Sequence, residues 1–175
     1  VLEYLSRYFF ITVLYYNPNI SPETGFQHRL EEQQRLIGAM PFSHPVELRA
    51  GIYAPERFDA IARGHEADPE GGDRCHACYR LRLEETARIA AAEGFDYFTT
   101  TLSISPLKSA AVLNRIGGEV AELYGVAYLY SDFKKREGYK RSCVLSREYG
   151  LYRQDYCGCL YSKAAAASRR TAEKK

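Results

Sequence analysis

The fold of this chain is decided by residues 73–106, which read D-R-C-H-A-C-Y-R-L-R-L-E-E-T-A-R-I-A-A-A-E-G-F-D-Y-F-T-T-T-L-S-I-S-P. Cys75 and Cys78 open this stretch in C-x-x-C spacing, and a helical pattern follows at once. Four apolar residues share one face of that helix: Tyr79, Leu83, Ala87 and Ala90. Gly94 is placed to end the helix as a left-handed cap. Residues 95–101 are aromatic and β-branched, so we expect a buried strand after a helix that begins with two thiols.

Two thiols at a helix start have three interpretations: half of a zinc site, half of an iron–sulfur site, or a thioredoxin-like redox pair. A helix N-terminus favours negative charge, so it stabilises thiolates. The thioredoxin pattern places its C-x-x-C directly after the first strand, whereas a polar, glycine-rich loop precedes Cys75. The pattern therefore favours metal ligation. A zinc site would need further ligands, and four residues qualify: His65, His76, Cys157 and Cys159.

The composition of the chain is that of an ordinary globular domain. Its 175 residues are 46% hydrophobic and 26% charged, with a net charge of +2 and five cysteines. No apolar run approaches the ~20 residues of a membrane span, and no secretory leader is visible, so we expect a cytoplasmic protein. Cysteines in the cytoplasm are more often metal ligands or catalytic groups than structural disulfides. Neither phosphate-binding glycine motif, G-x-x-x-x-G-K-[ST] or G-x-G-x-x-G, occurs in the sequence.

Helical and strand patterns alternate along the chain with short connections. Strands are predicted at 10–16, 46–48, 95–101 and 126–130, and helices at 22–39, 55–63, 75–93, 106–124 and 139–149. This alternation predicts one α/β domain over residues 1–162, with three layers and a mainly parallel, Rossmann-like sheet. Binding sites of such sheets lie at the carboxyl ends of the strands.

The sequence also makes specific predictions for the helix that follows the third strand and for the C-terminal tail. Ser105 and Pro106 have the chemistry of an N-cap and first turn, which would start the helix that follows the third strand. We expect that helix to place four residues inward: Leu113, Ile116, Val120 and Leu123. Its Gly117-Gly118 pair should weaken its middle. Residues 163–175 form an Ala/Lys/Arg tail, predicted to be disordered or a frayed helix.

A second cysteine motif, Cys157-Gly158-Cys159, follows the last predicted core helix. A disulfide between thiols two residues apart closes a tight ring, which suits electron exchange better than scaffolding. The alternative is a zinc knuckle or two unrelated thiols. Arg153, four residues before the motif, would favour thiolate over thiol there. Cys143 lies within a predicted helix and is expected to be a buried spare thiol.

The C-terminal third of the chain is basic and rich in tyrosine. Residues 131–163 contain eight Lys or Arg residues against four Asp or Glu, with five tyrosines interleaved. Basic groups with aromatics suit a nucleic-acid surface, although a solvated helix face over core tyrosines gives the same composition. The candidate RNA contacts are Lys134, Lys135, Arg136, Lys140, Arg141 and Arg153, with Lys108 near the Ser105 turn as a seventh.

Several long blocks of this sequence resemble the QueH family of epoxyqueuosine reductases. These blocks are Y-N-P-N-I at 16–20, P-E-G-G-D-R-C-x-x-C-Y-x-x-R-L-E-E-T-A at 69–87, F-D-Y-F-T-T-T-L-S-I-S-P at 95–106, Y-L-Y-S-D-F-K-K at 128–135, G-Y-K-R-S at 138–142 and Y-G-L-Y-R-Q-D-Y-C-G-C at 149–159. The resemblance extends from Val1 to about Ser162 and leaves out the Ala-rich tail.

The resemblance implies an activity, a cofactor and site residues. The activity is the last step of queuosine biosynthesis, in which epoxyqueuosine at the wobble position of tRNA is reduced to queuosine. Cys75 and Cys78 are implied as ligands of a 4Fe-4S cluster, and Cys157 and Cys159 as a redox-active pair. The seven basic residues would hold the tRNA. The external electron donor is not identified, and the resemblance leaves open a second iron.

One feature of the family pattern is missing from these 175 residues. The family carries an adjacent Cys-Cys pair just before the helix that starts here at Val1, preceded by a first strand. That segment supplies the remaining cluster ligands, so the resemblance predicts an N-terminally truncated chain whose sheet lacks its first strand and whose own activity is in doubt. Two other functions compete: a zinc-stabilised, non-catalytic nucleic-acid-binding module, and a metal-free thiol–disulfide oxidoreductase.

Overall fold

The structure, a computed structural model, describes residues 1–172. Within that range the elements follow in this order: α1 (Leu2–Leu5), β1 (Ile11–Tyr15), α2 (Glu23–Ala39), β2 (Val46–Ala50), α3 (Pro55–Ala62), α4 (Asp73–Glu93), β3 (Tyr97–Phe98), a 3₁₀ helix (Thr101–Ile104), α5 (Ala110–Tyr124), β4 (Ala127–Tyr128), α6 (Gly138–Glu148) and α7 (Leu160–Ala172). No helix among these residues is both long and apolar enough to cross a membrane.

The strands pair in parallel, with helices on their faces, which confirms the prediction of a Rossmann-like α/β fold. β1 pairs with β2, so that Ile11 lies opposite Val46, and β3 pairs with β4, so that Tyr97 lies opposite Ala127. In the described residues these are two separate two-stranded sheets.

The third strand is shorter than the predicted range of 95–101. After Phe98, the Thr99 hydroxyl donates to the Leu129 carbonyl at 2.9 Å, and the Thr100 hydroxyl accepts from the Leu102 amide at 3.2 Å. These side-chain bonds divert the backbone into the 3₁₀ helix, because threonine hydroxyls compete with the strand ladder for backbone groups.

The main core lies between α4, α5 and the second sheet. Leu83 and Ala87 of α4 pack there with Leu113 of α5 and with Phe98 and Tyr128 of the strands. The helical face predicted from residues 79–90 is therefore the buried face of α4. Gly94 ends the helix at φ 72°, as its left-handed cap position requires.

Two expectations for α5 are wrong. The helix begins at Ala110, since the Ser109 hydroxyl caps it by accepting from the Val112 amide at 3.3 Å, and the Ser105-Pro106 turn lies before it. Leu123 points to solvent, with 67% of its surface exposed. The weakening of the helix by Gly117-Gly118 stays a prediction, and Gly117 is in addition a packing site, because a Cβ there would collide with the Tyr128 ring.

The C-terminal tail is helical as far as the structure describes it. Residues 163–172 continue α7, which begins at Leu160, so of the two alternatives for the tail the structure has the helical one in that part. Residues 173–175 lie outside the described range. Ala166 is buried, and Ser162 and Arg169 both contact Glu70. These contacts hold the helix against the loop before α4.

The core assignment predicts opposite outcomes for two leucines of α5. Leu113→Ala removes a fully buried side chain and should lower the free energy of unfolding by about 2–5 kcal/mol. Leu123→Ala on the same helix should change it by less than about 0.5 kcal/mol. Urea denaturation of both variants measures the difference. Equal losses would place Leu123 in the core after all.

Candidate active site

The Cys157-Gly158-Cys159 turn leads directly into α7 and is closed by hydrogen bonds with the first turn of that helix. The Cys159 sulfur accepts from the Ser162 amide at 3.3 Å. The Ser162 hydroxyl accepts in return from the Cys157 amide at 3.1 Å and donates to Glu70 at 3.3 Å. This pattern resembles a capping box in which sulfur replaces the usual oxygen, except that the Ser162 hydroxyl accepts from the amide of Cys157 rather than from that of the cap residue Cys159. The two sulfurs therefore lie 3.5 Å apart.

The same turn rests on α2 and on the loop that follows β1. The Cys157 carbonyl accepts from the Arg29 guanidinium at 3.1 Å and from the Asn19 amide at 3.5 Å. The Gly158 carbonyl accepts from the Ser21 amide at 3.1 Å. Gly158 has φ +117°, and a Cβ there would lie 2.5 Å from Arg29 and 2.8 Å from Ile20. Only glycine fits this turn, for both conformational and steric reasons.

The C-x-x-C thiols meet this turn at the start of α4. Cys78 is buried and packs with Cys159, Phe58 and Ala62. Burial raises the pKa of Cys78 to about 11, with smaller contributions from Cys157 and Cys75. Cys75 is half-buried, and its sulfur accepts from the Gly71 amide at 3.3 Å. Since Asn19 follows the carboxyl end of β1, the two cysteine motifs converge at the predicted edge of the sheet.

The polar loop before α4 is held from beneath by a buried arginine. Arg74 is 4% exposed, and its guanidinium donates to the carbonyls of His65 at 2.6 Å and Glu66 at 3.0 Å. The guanidinium also lies over the Tyr161 ring of α7, 4.3 Å from its centroid. The Asp68 carboxylate accepts from the Arg74 amide at 2.9 Å. One cation therefore joins the loop, α4 and α7 around the thiols.

Three of the four clustered thiols line one cavity. A space of about 250 Å³ lies between the loop before α4 and the start of α7, and Cys75, Cys157 and Cys159 form part of its wall with Tyr161. A reagent of small size therefore has access to the Cys157–Cys159 pair.

The electrostatics of the pair favour one thiolate and one thiol. A hydrogen bond from Cys159 lowers the pKa of Cys157 to about 5, with help from Lys108 and Ser162. The pKa of Cys159 is raised, first by that hydrogen bond to Cys157 and then by burial. The Lys108 ammonium lies 5.7 Å from the centre of the Tyr79 ring, next to Cys78 in sequence. At neutral pH the site therefore holds a Cys157 thiolate beside a Cys159 thiol.

The thiolate chemistry of Cys75 and Cys78 suits an iron–sulfur cluster or zinc. Yet among residues 1–172 no group of three or more Cys, His, Asp or Glu side chains is arranged to hold a metal. His65 instead bonds Asp68 at 3.0 Å, and His76 lies 3.6 Å from Asp73. The described residues thus offer two thiolate ligands from α4 and give the four-cysteine zinc alternative no support.

Four of the seven predicted RNA contacts are engaged with the protein. Lys134 bridges the carbonyls of Ser103 and Lys108, at 3.5 and 3.2 Å. Arg141 pairs with Glu3 at 2.5 Å. Lys108 faces the thiols, as described above, and Arg153 donates to the Tyr139 hydroxyl at 3.4 Å.

The other three are exposed on the turn before α6 and on its first residues. They are Lys135, Arg136 and Lys140. Lys135 and Lys140 have side chains that are 77% and 78% exposed. Lys140 pairs with the similarly exposed Glu137, and such surface pairs are weak. The role of all seven residues in RNA binding stays a prediction.

The expectation for Cys143 is wrong. This thiol is half-buried on α6, a helix without a buried residue. A hydrogen bond from Arg153 lowers the pKa of Cys143. Arg153 therefore acts on Cys143, whereas Lys108 is the cation that favours the Cys157 thiolate.

Sequence reasoning missed the residues that hold the site together. Arg29 and Arg74 occupy positions on helices that also suit solvated cations, and no periodicity distinguishes them. Ser162 did carry a signal, because it lies three residues after Cys159, which is the spacing of a capping box.

Comparison with known proteins gives one family. The family model described as epoxyqueuosine reductase QueH matches residues 1–165. A protein of that name from Streptococcus pyogenes is 41% identical over 92% of this chain and 64% of its own length. Relatives of the same name include one from Staphylococcus epidermidis, 38% identical over 92% of this chain and 69% of its own length. Another, from Thermotoga maritima, is 36% identical over 85% of this chain and 77% of its own length.

The pKa of Cys157 predicts its reactivity. In the reduced protein, alkylation of Cys157 by iodoacetamide should stay fast from neutral pH down to pH 6 and fall as the pH drops through about 5, because the thiolate is protonated there. An ordinary thiol loses reactivity below about pH 8.5. Cys159→Ala removes the main cause of the shift and should move the midpoint upward. Peptide mass spectrometry gives the rates. A midpoint near pH 8.5 in the unmodified sequence would contradict the assigned thiolate.

Proposed function

The chain belongs to the QueH family, and we propose on that premise that it reduces epoxyqueuosine to queuosine at the wobble position of tRNA, the last step of queuosine biosynthesis. The chain spans about two thirds of the length of the relatives it matches, 64% of one and 69% of another. The observation that carries the proposal is the Cys157–Cys159 pair, seated 3.5 Å apart at the carboxyl edge of the sheet and packed against Cys78.

A dithiol matches the stoichiometry of the reaction. Removal of the epoxide oxygen turns the epoxide into an alkene and consumes two electrons and two protons, and the oxygen leaves as water. Oxidation of Cys157 and Cys159 to a disulfide yields two electrons and two protons. The two thiols already differ in a useful way: Cys157 is a thiolate that can donate electrons as a nucleophile, and Cys159 still holds a proton.

Cys75 and Cys78 are proposed as two ligands of a 4Fe-4S cluster. Such a cluster takes four ligands, so two more would come from the Cys-Cys segment that the family resemblance implies. When bound, the cluster would carry electrons one at a time, whereas the dithiol stores two. The start of α4 holds the two thiols for it, and the helix N-terminus stabilises them once the metal has displaced their protons. A second iron stays open.

The tRNA is proposed to lie along the turn before α6 and along α6 itself. Lys135, Arg136 and Lys140 are exposed there, and their charges can neutralise phosphates because the ion pairs of Lys135 with Asp132 and of Lys140 with Glu137 are local surface pairs. Lys134 and Arg141 act first within the protein, the former on the Lys108 backbone and the latter on Glu3. Cytoplasmic localisation is proposed with the substrate, since tRNA is found there and the thiols stay reduced there. The two competing functions gain no support from a specific observation.

Single substitutions separate redox residues from cluster ligands. In the protein extended by the Cys-Cys segment, Cys157→Ser and Cys159→Ser should each keep iron and tRNA affinity yet lose multiple turnover. Cys75→Ser and Cys78→Ser should lose iron. Cys143→Ser is the matched control and should retain turnover. Iron content and the ratio of queuosine to epoxyqueuosine in treated tRNA are measured. Normal turnover by Cys157→Ser or Cys159→Ser would make the pair structural, and loss of iron would make it part of the metal site.

Charge removal tests the tRNA surface. Lys135→Gln with Lys140→Gln should weaken tRNA binding and reduce the magnitude of the slope of log K against log salt by about 1.5, if each lysine neutralises one phosphate. Arg49→Gln with Arg88→Gln removes two exposed charges from β2 and α4 and should leave both quantities unchanged. Filter binding across a salt series measures them. Equal effects of the two double variants would place the RNA elsewhere.

A further inference from the structure

We propose that the two sulfurs of the pair have different roles: an external low-molecular-weight thiol exchanges with Cys157 from the cavity beside α7, and Cys159 is the resolving thiol. This assignment rests on the proposed function, in which the pair becomes oxidised and must be reduced again. It adds the direction of that reduction and the chemical class of the reductant.

Access distinguishes the two sulfurs. Cys159 is 5% exposed and packs in the apolar cluster with Phe58, Ala62 and Cys78. Cys157 is half-buried, lies at the margin of that cluster and lines the cavity. A thiolate displaces a disulfide sulfur by approaching in line with the S–S bond, so it needs free space beside the sulfur that it attacks. Both sulfurs border the cavity, but Cys157 has the larger exposed surface, so an incoming thiolate reaches Cys157 more readily than the buried Cys159.

Hydrogen bonding supports the same direction. When an incoming thiolate bonds to the Cys157 sulfur, the Cys157–Cys159 bond breaks and Cys159 leaves with the electron pair. The Cys159 sulfur already accepts from the Ser162 amide at 3.3 Å, and it lies directly before the first residue of α7, where the helix N-terminus stabilises negative charge.

Both steps balance. In the first, the thiol RSH loses its proton and forms R–S–S–Cys157, while Cys159 becomes the thiol. In the second, another RSH attacks the sulfur of R and releases RSSR and reduced Cys157. The sum converts two thiols and the protein disulfide into RSSR and the protein dithiol. Run in reverse with a small disulfide, Cys157 attacks first and Cys159 then displaces R from the mixed disulfide.

The size of the cavity points to the size of the reductant. About 250 Å³ between the loop before α4 and the start of α7 admits a small thiol. Ala165 lines this cavity on α7, whereas Ala167, two residues further along, is exposed and does not. These two alanines provide a matched pair for testing the route.

The test uses the reduced protein and bis(2-hydroxyethyl) disulfide, with Cys143→Ser as background and the modified peptide assigned by mass. Cys159→Ser should accumulate a mixed disulfide on Cys157, because the adjacent thiol that would displace the mercaptoethanol is gone. In the Cys157→Ser protein, Cys159 should be modified more slowly by about tenfold or more, because Cys159 is buried. The background protein should release two mercaptoethanols per probe and form the Cys157–Cys159 disulfide without a lasting adduct. Equal rates in the two variants, or an adduct on Cys159 only, would overturn the assignment.

The route is tested on the Cys159→Ser protein. Ala165→Phe should slow formation of the Cys157 adduct about tenfold by filling the cavity, and Ala167→Phe should not. Equal rates for the two would exclude the cavity as the entry path.

These assays contain neither tRNA nor epoxide, so they test the inference separately from the proposed function. An adduct on Cys157 in a protein inactive on tRNA therefore overturns only the proposed function, and an active protein without this asymmetry overturns only the inference.

Discussion

The site depends on the contact between the Cys157-Gly158-Cys159 turn and α2. Arg29 holds the Cys157 carbonyl across 128 positions of sequence, and Gly158 packs where no side chain would fit beside Arg29 and Ile20. Without this contact, only the hydrogen bonds to the first turn of α7 would fix the conformation of the segment between α6 and α7. With it, Cys159 closes onto Cys78 at the start of α4, and thiols from the two motifs share one edge of the sheet.

The environment created by this contact explains how two neighbouring thiols can differ. Burial disfavours charge on Cys78, Cys157 and Cys159, so a sulfur among these three needs donors and a cation beside it to ionise readily. Cys157 has the Cys159 thiol, Ser162 and Lys108, whereas Cys78 has little beyond its apolar surroundings and the more distant Arg82 and Lys108. Cys157 is therefore ionised and reactive, whereas the buried Cys78 would lose its proton only on binding a metal.

Much of the fold and part of the site could be predicted from the sequence. The α4 face, the Gly94 cap and the two cysteine motifs are local patterns, and local patterns are visible in a sequence. Leu123 was misjudged and the packing role of Gly117 was missed, because their surroundings come from distant residues, such as Tyr128 opposite Gly117. Arg29 and Arg74 were missed for the same reason, since an arginine bound within the protein differs from a solvated one only in its tertiary partners.

The contact between the Cys157-Gly158-Cys159 turn and α2 can be tested by adding one methyl group at Gly158. Gly158→Ala places a side chain at φ +117° and against Arg29, whereas Gly150→Ala meets no atom within 4 Å at φ +58°. The measurement is the rate at which the Cys157–Cys159 disulfide forms in each variant under a fixed excess of oxidised glutathione. We expect Gly158→Ala to slow this rate about tenfold or more relative to Gly150→Ala, since strain of about 1.4 kcal/mol corresponds to tenfold. Equal rates in the two variants would show that the turn does not depend on its contact with α2.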